Sequence, residues 1–175
     1  MLKFPINPQF IWVGGALDDH TRLLARHVPS HQHYVQWFEV ARLRRLLQSY
    51  PAQQIVLIGH SYGASTAAKL VAKGNAVNVL ITLDPVGWQP VAMHNISRHC
   101  QHWLNFRAAD TKPNFANWVA RAGGWWQHAP QPFAHQHIDI PADHALVVSK
   151  ALAQLPQFAA TDNSKQSAEL SRSRA

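Results

Sequence analysis

A chain of 175 residues, 47% of them hydrophobic, is long enough to bury a full core as one domain without disulfide staples. Sixteen Lys and Arg against nine Asp and Glu give a net charge of +7. Arg42, Arg44 and Arg45 share one helical stretch while Arg172 and Arg174 sit in a polar tail, with no aromatic platform between them, which argues for solvated basic surface and against a nucleic-acid site.

The single Cys100 excludes an internal disulfide and fits a reducing compartment. No run is long and apolar enough to span a bilayer, and residues 1–10 carry two prolines and no apolar signal-peptide core. The expectation is a cytoplasmic domain over residues 1–160 with no stable membrane insertion and a disordered polar tail over 161–175.

Residues 10–13 form a compact apolar run that stops at Gly14-Gly15 and reads as the first core strand. Asp18 and Asp19 are N-cap candidates for a helix over 21–27, ended by Pro29. Residues 34–38 read as a second strand. Val40, Leu43, Leu46 and Leu47 recur at helical spacing, predicting an amphipathic helix over 40–49 that Pro51 closes.

The β-branched and apolar run 55–58 then breaks at Gly59-His60-Ser61-Tyr62-Gly63 and restarts among the small residues of 64–72. This is strand, sharp turn, helix. The run 77–83 ends abruptly at Asp84-Pro85, so four strands alternate with three helices, which demands a parallel sheet with right-handed crossovers. Further on, 103–107 and 138–140 read as strands and 145–155 as a terminal helix, with an irregular Trp-, Gly- and Pro-rich segment over 111–134.

Gly59 to Gly63 fits the G-x-S-x-G pattern in which a serine stands at the tip of a strained turn and glycines make room for crowded backbone. A serine hydroxyl needs a base to take its proton, and the base needs an acid to hold its tautomer. Asp84 ends the strand after the elbow, on the same sheet edge as Ser61; Asp110, after the next strand, is the rival acid. Among twelve histidines, His144 lies on the loop that opens the terminal helix, whereas His135 and His137 are fixed to a strand face. Asp143 beside it reads as that helix's N-cap. Backbone N–H groups of Tyr62 and of Gly15 or Ala16 are the candidate oxyanion donors.

The elbow, the strand ending at Leu83-Asp84-Pro85 and the late histidine resemble the α/β-hydrolase superfamily, and the spacing is similar to its lipases and thioesterase domains. The resemblance covers about residues 10–155. It implies a minimal α/β fold, a mostly parallel sheet of about six strands with helices on both faces and an open site. It also implies Ser61 as nucleophile, Asp84 as acid, His144 as base and a small-molecule acyl ester or thioester as substrate, with no cofactor or metal. Where the family carries His-Gly after its first core strand, this chain has Val13-Gly14. Trp88, Trp125 and Trp126 are candidates to wall an acyl pocket.

Two other classes compete with the serine hydrolase. A non-catalytic binding module on the same fold has no chemical need of all three triad candidates. A metal site on His128, His135 and His137 lacks a helical H-x-x-x-H or paired cysteines.

Overall fold

The computed structural model describes Pro5 and residues 7–160, in which six strands form one sheet with every neighbouring pair parallel. They are β1 (Gln9–Gly14), β2 (His33–Gln36), β3 (Ile55–His60), β4 (Val77–Leu83), β5 (Cys100–Ala108) and β6 (Gln136–Ile140), in the spatial order β2-β1-β3-β4-β5-β6. The expected tail, 161–175, lies outside the described residues.

Side chains alternate between faces along a strand, so a sheet covered on both sides needs unbroken apolar runs. In β3, Ile55 and Leu57 pack on one side with Leu43 and Leu47 of α2 (Val40–Ser49), Ala67 and Val71 of α3 (Tyr62–Ala72) and Ile96 of α4 (Met93–His99). Val56 and Ile58 pack on the other with Val147, Val148 and Ala151 of α6 (Val147–Ala160). The arginines of α2 point outward, as the helical spacing requires. None of the helices among the described residues is long and apolar enough to cross a membrane.

From β1 the chain moves outward to β2, then returns to the opposite side of β1 to lay down β3. Strand order therefore reverses between β1 and β3, and in such sheets the crevice beyond the strands' carboxyl ends opens at that reversal. Register decides what meets there. Val13 pairs with Gly59, which brings Gly14-Gly15 level with His60-Ser61, and His60 pairs with Leu83, which sets Ser61 beside Asp84. Leu83 pairs with Phe106 and Ala108 with Ile140, extending the same edge to the loop that carries His144.

Four local expectations are corrected. The helix expected over 21–27 is a short α1 (Asp18–Thr21) followed by a 3-10 turn (Ala25–His27). Asp18 is no cap: its buried carboxylate accepts from the backbone N–H of Leu24 and Ala25 and from the Tyr34 hydroxyl, and its satisfaction folds the loop back on itself. The second strand stops at Gln36 because Trp37 and Phe38 leave the sheet, with Phe38 exposed. The segment 111–134 contains α5 (Phe115–Ala122), capped by the Asn114 side chain accepting from the Asn117 N–H and followed by Gly123. The terminal helix begins at Val147, with Asp143 accepting from the N–H groups of Ala145 and Leu146 in the turn before it.

Candidate active site

The turn after β3 is held by backbone bonds on both sides of Ser61: its N–H donates to Leu83 O and its carbonyl accepts from Ser65 and Val86. Ser61 adopts φ 56° and ψ −125°, a conformation that a non-glycine residue holds only when its surroundings impose it. The flanking glycines are required by space. A Cβ on Gly59 would stand 2.6 Å from Ala64 Cα, and one on Gly63 would overlap the carbonyl oxygen of Val13. Asp84, at φ 44°, is a second non-glycine residue in the left-handed region, directly after β4.

These turns bring three side chains into line. Ser61 Oγ lies 3.0 Å from His144 Nε2, and His144 Nδ1 lies 2.6 Å from Asp84 Oδ2. All three residues are buried, at 6%, 5% and 1% exposure. Asp84 also accepts from the Ala108 N–H at 2.9 Å and the Trp125 indole N–H at 2.6 Å. An ionised carboxylate is acceptor-only, so His144 donates from Nδ1 and presents an unprotonated Nε2 to the serine hydroxyl. The rival acid faces elsewhere: Asp110 accepts from the Lys112 N–H in its own turn.

His144 is on a loop, and a loop holds a side chain in place only if something anchors it. Asn117, fully buried on α5, accepts from the His144 N–H and donates from Nδ2 to the carbonyls of Asp110 and Lys112. From the other side His60, the variable residue of the elbow, stacks on the His144 ring at 4.8 Å between centroids and bonds the His144 carbonyl at 3.1 Å. A carbonyl only accepts, so His60 Nε2 carries the proton. Neither anchor was found from sequence. The signal for Asn117 was its place three residues after an N-cap asparagine, and that for His60 was its position inside the elbow.

Burial, with the nearby His144 adding to it, pushes His60 down to about 3 from an ordinary value of 6.5. The folded protein therefore holds it neutral, while the unfolded chain takes up a proton as pH falls below 6.5. Its contribution is fully present above that pH and is lost on acidification, with a slope of up to about 1.4 kcal/mol per pH unit. In urea titrations, His60→Gln, which keeps an N–H for the carbonyl and cannot titrate, is expected to flatten the acid loss of stability between about pH 6 and pH 4. Parallel curves for the two proteins would contradict this.

Gly15 packs against the serine so closely that a Cβ there would lie 2.7 Å from Ser61 Cβ. Among the described residues the amide N–H groups of Ala16 and Tyr62 have no hydrogen-bond partner, and that of Tyr62 belongs to the open first turn of α3. Trp88, Trp125 and Trp126 line one surface cavity of about 760 Å³ that neither Ser61 nor His144 borders, and Trp88 also borders a second cavity beside the elbow, from whose lining both are likewise absent. Trp126 is buried with its indole on Gly87 O, Trp88 is 75% exposed with its indole on Ala122 O, and Trp125 serves Asp84.

The histidines weighed as metal ligands are bonded to other groups. His135 accepts from the Trp103 N–H, His137 bonds the Asn105 amide, and His128 bonds Arg107. No group of three His, Cys, Asp or Glu among the described residues is arranged to hold a metal ion. The thiol of Cys100 is buried, which pushes it up to about 12.

No curated protein matches the chain. Among solved structures it is similar to a YdeN-like hydrolase from Pectobacterium atrosepticum, at 21% identity over 79% of this chain and 80% of that one, with a TM-score of 0.47. It is also similar to the thioesterase domain from the curacin biosynthetic pathway, at 12% identity over 90% and 92% of the two chains, with a TM-score of 0.49. The sequence model described as the alpha/beta hydrolase family matches residues 11–174. That span takes in the sheet, the elbow and the loop of His144, and the chain belongs to the alpha/beta hydrolase family.

Proposed function

We propose that the protein is a serine hydrolase that cleaves a carboxylic ester or thioester through an acyl-enzyme. The observation that carries this reading is the buried line of hydrogen bonds from Asp84 through His144 to Ser61. Family membership supports hydrolysis of a small molecule.

In this mechanism Ser61 Oγ attacks the acyl carbon as His144 Nε2 takes its proton, and Asp84 stabilises the imidazolium through Nδ1. The carbonyl oxygen gathers negative charge, which the free N–H of Tyr62 and the Gly15-Ala16 turn stabilise, helped by the positive end of α3. His144 then protonates the leaving group. Water, activated by the same nitrogen, releases the acid and restores the serine.

A fluorophosphonate probe tests the reading because it phosphonylates a serine only where a base and an oxyanion site activate it. The expected product is a single adduct mapped to Ser61 and absent from Ser61→Ala. A folded wild-type protein that takes no label would overturn the proposal in favour of a non-catalytic module.

A further inference from the structure

Beside the elbow runs a second cavity, about 500 Å³, whose floor is one face of α3. Tyr62, Ser65, Thr66, Lys69 and Lys73 recur on it at spacings of three and four, so they form a stripe leading away from the nucleophile. The near end lies beside the catalytic turn without including Ser61 itself: Tyr62 follows Ser61, and Gly87 follows the Val86 whose N–H is bound to Ser61 O. Lys69 lies seven positions along the helix from Tyr62, a reach of about 10 Å.

The walls and the far end differ in chemistry. Trp37, Phe38 and Trp88 supply aromatic walls, with Phe38 and Trp88 64% and 75% exposed. Lys69, Lys73 and Arg44 line the same cavity, and among the described residues none of them is paired with a carboxylate. Glu39, the acidic residue on the nearby helix end, is turned to Arg42 and the Gln36 N–H. Lys69 reaches only the neutral side chain of Gln89. Part way along, the hydroxyl of Ser65 is buried with no partner, and Gly87 leaves the space above it, since a Cβ there would stand 2.6 Å from that oxygen.

We infer that this groove selects the substrate: an ester or thioester carrying an apolar chain that lies along the aromatic walls and ends in a carboxylate or phosphate bound by Lys69, Lys73 and Arg44. The inference rests on the serine-hydrolase reading and adds its substrate class. Lys69 and Lys73 repel each other until an anion arrives, and Arg44 lines the same cavity. Burial and the neighbouring Lys73 already push Lys69 below its ordinary value, a cost that an anion would relieve.

Binding and turnover test it separately. In calorimetric titrations of Ser61→Ala, octanoate and octyl phosphate are expected to bind at least tenfold tighter than octanol, and the two anions rank the carboxylate against the phosphate. Lys69→Met/Lys73→Met in the same background should erase that preference. With 4-nitrophenyl monoesters of dicarboxylic acids of graded length, kcat/KM should exceed that of the ω-methyl esters at least tenfold at one length, and the ratio should collapse in the double variant. Equal binding of anions and alcohol, or a preference that survives loss of both lysines, would overturn the inference. A protein that binds the anions in this way yet takes no fluorophosphonate would instead overturn the serine-hydrolase reading.

Discussion

Ser61→Ala and His144→Ala are each expected to lower kcat for 4-nitrophenyl acetate by on the order of 10⁶-fold, and the double variant by no more than either single one. The reason lies in the division of one proton between two atoms 3.0 Å apart. Without Oγ there is no atom to be acylated. Without Nε2 the hydroxyl keeps its proton and remains a poor nucleophile, so the second substitution finds nothing left to remove. Both variants should keep the wild-type circular dichroism, because the backbone bonds of the elbow hold residue 61 independently of its side chain. Losses that add in the double variant, or a folded His144→Ala that keeps a tenth of the activity, would mean that the two residues do not act as a unit.

The parts of this arrangement legible from sequence are those written in consecutive residues. Buried parallel strands need unbroken apolar runs, so 55–58 and 77–83 stand out, and the residue at which each run stops falls at the sheet's carboxyl edge. Ser61 and Asp84 are read that way, and Pro51 with a helical repeat bounds α2 as it is found. What escapes is whatever depends on partners far along the chain. Asp18 looks like a cap because its neighbours suit one, but the N–H groups it serves are at 24 and 25, and the hydroxyl at 34. Trp125 looks like a pocket wall and does line a cavity, but the bridge between Val86 and Trp125 also sets its indole on Asp84, which no local pattern announces. Helix α5 hides in a segment whose Trp, Gly and Pro content reads as loop, although Asn114 and Gly123 mark its ends.

The same long-range contacts explain how so buried a carboxylate is held. An isolated carboxylate at 1% exposure is costly, and Asp84 is tolerable because three donors face it from β5, from the 125 loop and from His144. Each donor is carried by a different part of the chain, so the Asp84 carboxylate is fully surrounded by donors only when the whole carboxyl edge has folded. Asn117 extends the logic to His144, tying it to the 110–112 turn. An account of the site limited to three side chains would leave out what keeps them in register.

Asp84→Asn is therefore expected to lower kcat by about 10⁴-fold while Asp110→Asn leaves it within about twofold. Asparagine at 84 brings an amide NH₂ into a place where every neighbour is itself a donor. Ala108 N–H faces Oδ1, and Trp125 and His144 share Oδ2. Whichever way the amide turns, two donors oppose each other. If its nitrogen faces His144, the imidazole can accept only by moving its proton to Nε2, which then cannot receive the proton of Ser61. Asp110 sits outside this circle, and its asparagine can still accept from the Lys112 N–H that the carboxylate now holds. Steady-state kinetics on both variants, with thermal melts to confirm folding, decide the matter. Turnover abolished by Asp110→Asn and retained by a folded Asp84→Asn would move the acid to the other strand end and require a rearranged loop at His144.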